Sequence, residues 1–150
     1  MATRTINAVI VKSLAAVDDT ATVSQLRVMV LLTKVGSASL SEVADDLGVN
    51  PSNASRTCDQ LVRRTLLVRD EDPADRRRLS LTLSASGRRL VDKVMKKRLS
   101  LLEEVVGSMS VNDQETLMVA LESFNVAAES TGVPVAVGPE PARRLGRWVE

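Results

Sequence analysis

The sequence predicts a mainly α-helical chain with one small β-hairpin, and three observations support this fold class. Three apolar segments between residues 22 and 64 each begin with a helix-capping residue. The segments "LLVRDE" and "RLSLTL" have strand character, with leucines alternating with polar residues in the second, and they lie close enough to pair. Long amphipathic segments flank this central region on both sides. At 150 residues, the chain suits one compact domain with helical extensions.

The first flank is predicted to be a helix over residues 6–17. Its apolar residues recur at helical spacing and fall on one face, namely Ile6, Val9, Ile10, Leu14 and Val17. The apolar run "VIV" is too short for the core of a signal peptide. We therefore expect this segment to be the first helix of a cytoplasmic protein.

Two helices in the central region begin with capping-box pairs. Thr22 and Gln25 precede the apolar run "LRVMVLL", and Gly36 ends that helix. Ser39 and Glu42 open a shorter helix that ends at Gly48. Because the cap and its partner stand three residues apart in both cases, each pair satisfies two free backbone N–H groups at a helix start.

A third central helix follows the turn "GVN". Asn50 is a favourable N-cap, and Pro51 suits the first helical position. The apolar residues share one face, namely Ala54, Cys58, Leu61 and Val62. Two short helices joined by a three-residue turn indicate a helix-turn-helix.

The strand segments after this helix are predicted to form an antiparallel hairpin with residues 72–77 at its tip. A helix-turn-helix followed by such a hairpin is a winged helix. The tip carries the run "DPADRRR", and leucines alternate with polar residues behind it. Arginines at this tip would be attracted by phosphates and by the negative potential of a narrow minor groove. Asp75 would orient the guanidinium of Arg77 by a charge-assisted hydrogen bond.

The second flank is predicted to hold two more helices. One runs from Ser84 to about Gly107, and another follows Ser110, with its apolar side formed by Leu117, Leu121, Phe124 and Ala128. Residues 131–150 are rich in Gly and Pro and are expected to form a mobile tail. A winged-helix core of about 65 residues is too small to cover the apolar stripe of the long helix. We therefore expect a second copy of the chain to cover it, which makes the protein a homodimer.

The motifs of the central region resemble those of the MarR family of bacterial repressors. "DPADRRRLSLTLSASG" is similar to the family's wing signature, and "LGVNPSNASRTCDQLVRRTLLVRDEDP" to its recognition helix and the following strand. "TVSQLRVMVLL" resembles the segment before the helix-turn-helix. The resemblance implies a single MarR-like domain: dimerisation helices at 1–21 and 84–130, and a winged helix-turn-helix at 22–83.

The function implied by this resemblance is sequence-specific binding of double-stranded DNA at a pseudo-palindromic operator, as a homodimeric repressor. Ser52, Asn53 and Arg56 would face base edges and nearby phosphates, whereas Arg63 and Arg64 would lie nearer the backbone. The full set of predicted DNA-facing residues is Ser52, Asn53, Ser55, Arg56, Arg63, Arg64, Asp75, Arg76, Arg77 and Arg78. Arg78 begins the second strand, where either orientation is open. Two recognition helices on one duplex would stand about 34 Å apart.

Three positions depart from the family pattern. Thr65 stands where glycine is usual after the recognition helix, and because a β-branched residue resists positive φ, we expect a differently formed turn there. Leu26 stands where an aromatic residue is common, and Ser84 where threonine is usual. Family members are often released from DNA by a small molecule or by oxidation. With one Phe, one Trp and no Tyr in the chain, a phenolic effector is not inferred, and whether any effector exists stays open.

Composition argues against an enzyme, a metal site and a cofactor. The chain has no histidine, one cysteine, no Gly-rich phosphate loop and no nucleophile motif. The spacing of Cys58 places it on the buried helix face, where a thiol acts as a small apolar group. No apolar run is long enough to cross a membrane. The net charge of +1 does not itself indicate nucleic acid, so a winged-helix protein-interaction module is the alternative interpretation.

Overall fold

The computed structural model describes residues 2–18, 20–71 and 79–131. Six helices and three strands follow one another in these ranges. They are α1 (Ala2–Ala15), α2 (Val23–Val35), β1 (Ser37–Ala38), α3 (Leu40–Leu47), α4 (Pro51–Arg63), β2 (Leu67–Glu71), β3 (Leu79–Leu83), α5 (Ala85–Gly107) and α6 (Val111–Ser130). The mainly helical fold with a small antiparallel sheet confirms the predicted fold class. The predicted tail at 131–150 lies outside the described residues, apart from Thr131.

The capping residues predicted from sequence begin their helices. The side chains of Thr22 and Ser39 each accept a hydrogen bond from the backbone three residues on, and both capping boxes are complete. The Asn50 side chain accepts from the Asn53 backbone N–H at 2.9 Å. These short-range contacts explain why α2, α3 and α4 begin where the sequence predicts.

Helix α1 differs from its predicted range of residues 6–17, since it begins at Ala2 and ends at Ala15. It ends early because the chain turns there, with the Asp18 backbone N–H bonded to the Leu14 carbonyl and the Asp18 carboxylate bonded to Thr20. Val9 and Leu14 are buried, as the periodicity predicts, but Ile6 is exposed.

The three strands form an antiparallel sheet in the order β1-β3-β2. The register of the hairpin pairs Leu67 with Leu83 and Glu71 with Leu79. This pairing confirms the predicted ribbon, while residues 72–78 at its tip lie outside the described residues. The short β1 strand, which pairs with β3 through Ser37 and Ala38, is an addition to the prediction. Two residues are too few to show a strand pattern in sequence.

The expectation for the turn at Thr65 was wrong. Thr65 adopts a φ of 55°, in the left-handed region that favours glycine. Its carbonyl oxygen accepts hydrogen bonds from the hydroxyl groups of Ser84 and Ser86, both at 2.7 Å. The turn therefore keeps a glycine-like geometry despite the β-branched side chain, because tertiary contacts hold it.

The core of the described residues lies where α2, α3 and α4 meet the sheet and the first half of α5. Its largest fully enclosed side chains include Met29, Leu61 and Leu81, which come from α2, α4 and β3. Val91 and Val94 of α5 join the same cluster. This core contacts one face of α4 and leaves the opposite face exposed to solvent.

The chain divides into two compact units, Met1–Leu102 and Glu103–Glu150. The first contains the winged helix. In the second, α6 has no buried residue, and its apolar side chains Met118, Leu121 and Phe124 are each about half exposed or more. Throughout the described ranges, each helix is too short or too polar to span a membrane.

Candidate nucleic-acid interface

Helix α4 separates a buried apolar face from an exposed polar one. Ala54, Cys58 and Leu61 are completely buried against the core. Because the helix starts at an Asn50 cap followed by Pro51, its first turn is fixed and its N-terminus faces outward. A rigid helix with one free face has the form required to enter a DNA major groove.

The exposed face carries four of the predicted DNA-facing residues, namely Ser52, Asn53, Arg56 and Arg63. Across the described part of the chain, their side chains make no hydrogen bond or ion pair with one another or with a neighbour. The two guanidinium groups therefore keep their N–H donors directed toward solvent. Small polar side chains at the N-terminal end and arginines farther along suit base edges and phosphates, respectively.

Ser55 has a different setting, since it is half-buried and its hydroxyl donates to Asp59 Oδ2 at 3.4 Å. The other oxygen of Asp59 accepts from Arg69 Nη2 at 2.7 Å. Arg69 lies on β2, so this ion pair joins the middle of α4 to the base of the hairpin. Arg69 Nε is buried, and within the described residues it has no hydrogen-bond partner.

The side chain of Arg64 is also partly buried, whereas that of its neighbour Arg63 is exposed. Its guanidinium forms an ion pair and hydrogen bond with Asp18 and approaches Gln25 Oε1 at 3.4 Å. Partial burial acts to raise the pKa of Asp18, but hydrogen bonds from Thr20 and Arg64 outweigh this effect and hold the pKa below its usual value. The structure thus separates the two consecutive arginines that the sequence groups together.

A cleft of about 380 Å³ lies beside this ion pair. It is lined by Thr20, Thr22, Gln25, Gln60, Arg63 and Arg64. All six side chains are polar or charged, and the cleft opens to solvent next to the end of α4. Arg63 and Arg64 line the same cleft but differ in their partners, since only Arg64 is bonded to the rest of its own subunit in the described ranges.

The remaining predicted contacts belong to the hairpin tip. Asp75, Arg76, Arg77 and Arg78 lie outside the described residues, so their predicted roles remain predictions. The paired strands on either side bring the chain into and out of this tip.

Cys58 is fully buried, as its spacing predicts. Burial raises the pKa of its thiol to about 11, while the nearby Arg69 partly opposes this shift. The thiol is therefore uncharged at neutral pH, and burial also limits access to oxidants. Within the described ranges, no group of His, Cys, Asp or Glu side chains is arranged to hold a metal ion.

Sequence reasoning missed Asp18, Gln25 and Arg69 as partners of the candidate interface. Arg69 gives one signal, because it stands directly after the apolar residues of a predicted strand, where a charged side chain that becomes buried needs a partner. Asp18 gives none, since it stands 46 residues from Arg64 in the sequence. Gln25 was recognised only for its part in the capping box.

Comparison with known proteins agrees with this geometry. A family model described as MarR family matches residues 21–79. Among solved structures, RV1404 from Mycobacterium tuberculosis is 34% identical with a TM-score of 0.81, over 91% of this chain and 90% of that one. The chain belongs to the MarR family. This result confirms the resemblance inferred from the wing and recognition-helix motifs.

Two further proteins are less similar in sequence to this chain. The HTH-type transcriptional repressor MdtR of Bacillus subtilis is 29% identical over 99 residues, which are 66% of this chain and 63% of MdtR. This chain therefore spans less than two thirds of the length of MdtR. A mutant MarR from E. coli, solved in complex with operator DNA, is 19% identical with a TM-score of 0.60, over 81% of this chain and 86% of that one. At that identity the likeness supports the fold alone. The family and the fold are those of transcriptional regulators, which confirms that the chain is not an enzyme.

Proposed function

We propose that this MarR-family protein is a transcriptional repressor that binds double-stranded DNA as a homodimer at a pseudo-palindromic operator. The observation that carries the proposal is the exposed face of α4. Its arginines Arg56 and Arg63 have no internal partner among the described residues, whereas its opposite face is completely buried. Asn53 and Ser52 would read base edges at the N-terminal end of the helix, and Arg63 would contact a phosphate.

The hairpin would make the second contact with DNA. Its strands β2 and β3 are paired, and buried leucines pack them against the core. The chain places Arg76, Arg77 and Arg78 in that segment beside Asp75. Arg76 and Arg77 would contact phosphates and the adjacent minor groove, where arginine is attracted by the enhanced negative potential.

The dimer is supported by apolar surface that a single chain leaves exposed. In the first unit, Ile6 and Val11 of α1 and Leu99 of α5 are more than half exposed. In the second unit, Val119 and Phe124 of α6 are more than 60% exposed. Several exposed apolar side chains on these helices favour an interface with another protein chain. Light scattering at micromolar concentration tests this part, with a mass of twice 16.2 kDa expected and a stable monomer as the contrary result.

The proposal also includes the location of the protein, the direction of regulation and the relief of repression. Because its target is chromosomal DNA, we place the protein in the cytoplasm. The name of MdtR as a repressor supports negative regulation of transcription. Relief of repression by a small-molecule effector, which the family resemblance implies, is part of the proposal without an assigned site.

DNA binding is tested by selecting bound duplexes from a random pool and titrating the selected operator at several salt concentrations. Arg63→Ala should weaken binding to all duplexes and reduce the salt dependence by about one phosphate contact. Asn53→Ala should instead change the base preference at one position in each half-site. Lys34→Ala removes the same charge from an exposed position in the last turn of α2 and serves as the matched control, for which we expect no change.

Weak binding to every duplex with little salt dependence would contradict the proposal. That result would favour the alternative, in which the winged helix is a docking module for another protein.

A further inference from the structure

The side chain of Arg64 is engaged within its own subunit at the point where α4 ends. Arg64 is the C-cap residue of α4, and its guanidinium is bonded to Asp18 in the linker between α1 and α2. The Asp18 side chain is only 14% exposed and that of Arg64 is 31% exposed. This ion pair is therefore largely shielded from water, which strengthens it relative to a surface pair.

The pair belongs to a larger group of bonded side chains, which we call the Arg64 cluster: Asp18, Gln25, Gln60 and Arg64. Gln25 is 5% exposed, and its Nε2 donates to Gln60 Oε1 at 2.9 Å. Its Oε1 accepts from the Thr22 backbone N–H at 3.1 Å and from Arg64 Nη1 at 3.4 Å. The last turn of α4 is thus tied to both the start of α2 and the linker after α1.

We infer that Asp18 and Arg64 are positioning residues, which set the angle of α4 relative to α1 and thereby the separation of the two half-sites. This inference rests on the proposed function. It gives Arg64 a role different from the phosphate contact implied by the family resemblance. A phosphate contact would have to share the Arg64 guanidinium with Asp18, whereas Arg63 beside it is free of such a partner in the described ranges.

The dimensions of α4 show why its C-terminal anchor matters. The helix has 13 residues and is about 20 Å long at 1.5 Å per residue. A rotation of about 10° around the end that carries Arg64 moves the end that carries Ser52 and Asn53 by about 3 Å. One base-pair step along DNA is about 3.4 Å. Loosening the anchor therefore allows the reading end of the helix to shift by about one base pair.

The experiment uses the full chain and its selected operator, with spacers between the half-sites shortened or lengthened by one and two base pairs. Asp18→Ala, Arg64→Ala and the double variant are compared with Arg63→Ala as the matched control. The affinities at several salt concentrations separate loss of a phosphate contact from loss of positioning.

We expect Asp18→Ala and Arg64→Ala each to weaken binding about fivefold to tenfold on the best spacer, and the double variant to be no weaker than either, because both remove one shared interaction. For both single variants, the affinity for the operator should vary less with spacer length than it does for the wild type. The salt dependence of binding should be unchanged. Arg63→Ala should reduce the salt dependence and keep the wild-type spacer preference. Asp18→Glu, which keeps the charge, should recover most of the affinity lost in Asp18→Ala.

Two results would overturn the inference. Tighter binding by Asp18→Ala, together with a lower salt dependence in Arg64→Ala, would show that Arg64 contacts phosphate directly. Unchanged affinity and spacer preference in both variants would show that the ion pair has no part in positioning. Thermal unfolding identifies any variant that fails to fold. In that case Asp18→Glu and Asp18→Asn, which should destabilise the protein less, are tested in the same binding experiment. Absence of operator binding by the wild type would instead refute the proposed function.

Discussion

Thr65 holds a left-handed backbone conformation immediately after α4 and its C-cap residue Arg64. Its φ of 55° costs a β-branched residue about 1 to 2 kcal/mol relative to glycine. Two serine hydroxyls bond to its carbonyl oxygen, and its own hydroxyl bonds to the Arg64 carbonyl at 2.7 Å. The surrounding contacts thus maintain a conformation that the side chain disfavours.

Replacing Thr65 with glycine should therefore stabilise the protein. We expect Thr65→Gly to raise the free energy of unfolding by about 0.5 to 1 kcal/mol, since relief of strain exceeds the added entropy of the unfolded chain. Urea denaturation measures this change. Thr65→Ala is the control, because alanine retains a Cβ at the same φ. A glycine variant no more stable than the alanine variant would contradict the explanation.

Cys58 should make stability depend on alkaline pH. Burial raises the pKa of its thiol to about 11 from the usual 9.0. A raised pKa favours the neutral form in the folded state, so its contribution is complete below pH 9 and is lost as the pH rises to about 11. Wild type should lose up to about 2 kcal/mol more than Cys58→Ala over this window. Equal pH dependence of the two proteins in urea denaturation would be the contrary result.

At the scale of secondary-structure elements, the joint between the sheet and α5 depends on a close approach at Gly87. The Ser84 hydroxyl caps the helix by accepting from the Gly87 backbone N–H at 2.9 Å. A Cβ at Gly87 would collide with the Leu66 carbonyl oxygen and lie 2.9 Å from Leu83 Cδ2. Because the first obstacle is backbone, it cannot move aside by changing a rotamer.

Gly87→Ala should thus destabilise the protein by about 1 to 3 kcal/mol through overpacking. Gly107, which also lies in α5, is the matched control, because a Cβ there meets nothing within 4 Å. Gly107→Ala should be neutral or stabilising by up to about 1 kcal/mol. Thermal unfolding of the two variants checks this contrast. Similar melting temperatures for both would argue against the close approach.

The elements predicted from sequence are those whose signals are local. The capping boxes of Thr22 and Ser39 join residues three apart, and the structure contains both. The strands β2 and β3 are five residues each, and β3 shows its alternation of leucines with polar residues within that length. The conformation of Thr65 was mispredicted because its carbonyl bonds to serines 19 and 21 residues away. Those contacts outweigh the local preference of the side chain.

In the candidate site, too, some residues are placed by local sequence pattern and others by contacts between distant segments. The exposed face of α4, with Asn53 and Arg56, follows from helical periodicity once the buried face is recognised. The contrast between Arg63 and Arg64 does not, because the partner of Arg64 lies 46 residues away on another segment. Likewise, the pairing of Asp59 with Arg69 depends on how β2 packs against α4.

At the scale of the whole molecule, the distribution of charge matters more than its sum. The net charge is only +1, so non-specific attraction of DNA to the chain as a whole is weak. Arg56 and Arg63, whose guanidinium groups have no partner among the residues that the structure describes, lie on the face of α4 opposite the core. In the proposed dimer, two such faces act on one duplex at a separation set by the subunits.

A hydroxyl-radical footprint of the wild-type protein on its selected operator tests the central claim most directly. The account predicts two protected segments on one face of the duplex, with centres about 10 base pairs apart or a multiple of this, one for each α4. Arg56→Ala should lose both segments, whereas Lys34→Ala should keep them. A single protected segment, or uniform protection that Arg56→Ala does not change, would contradict the account.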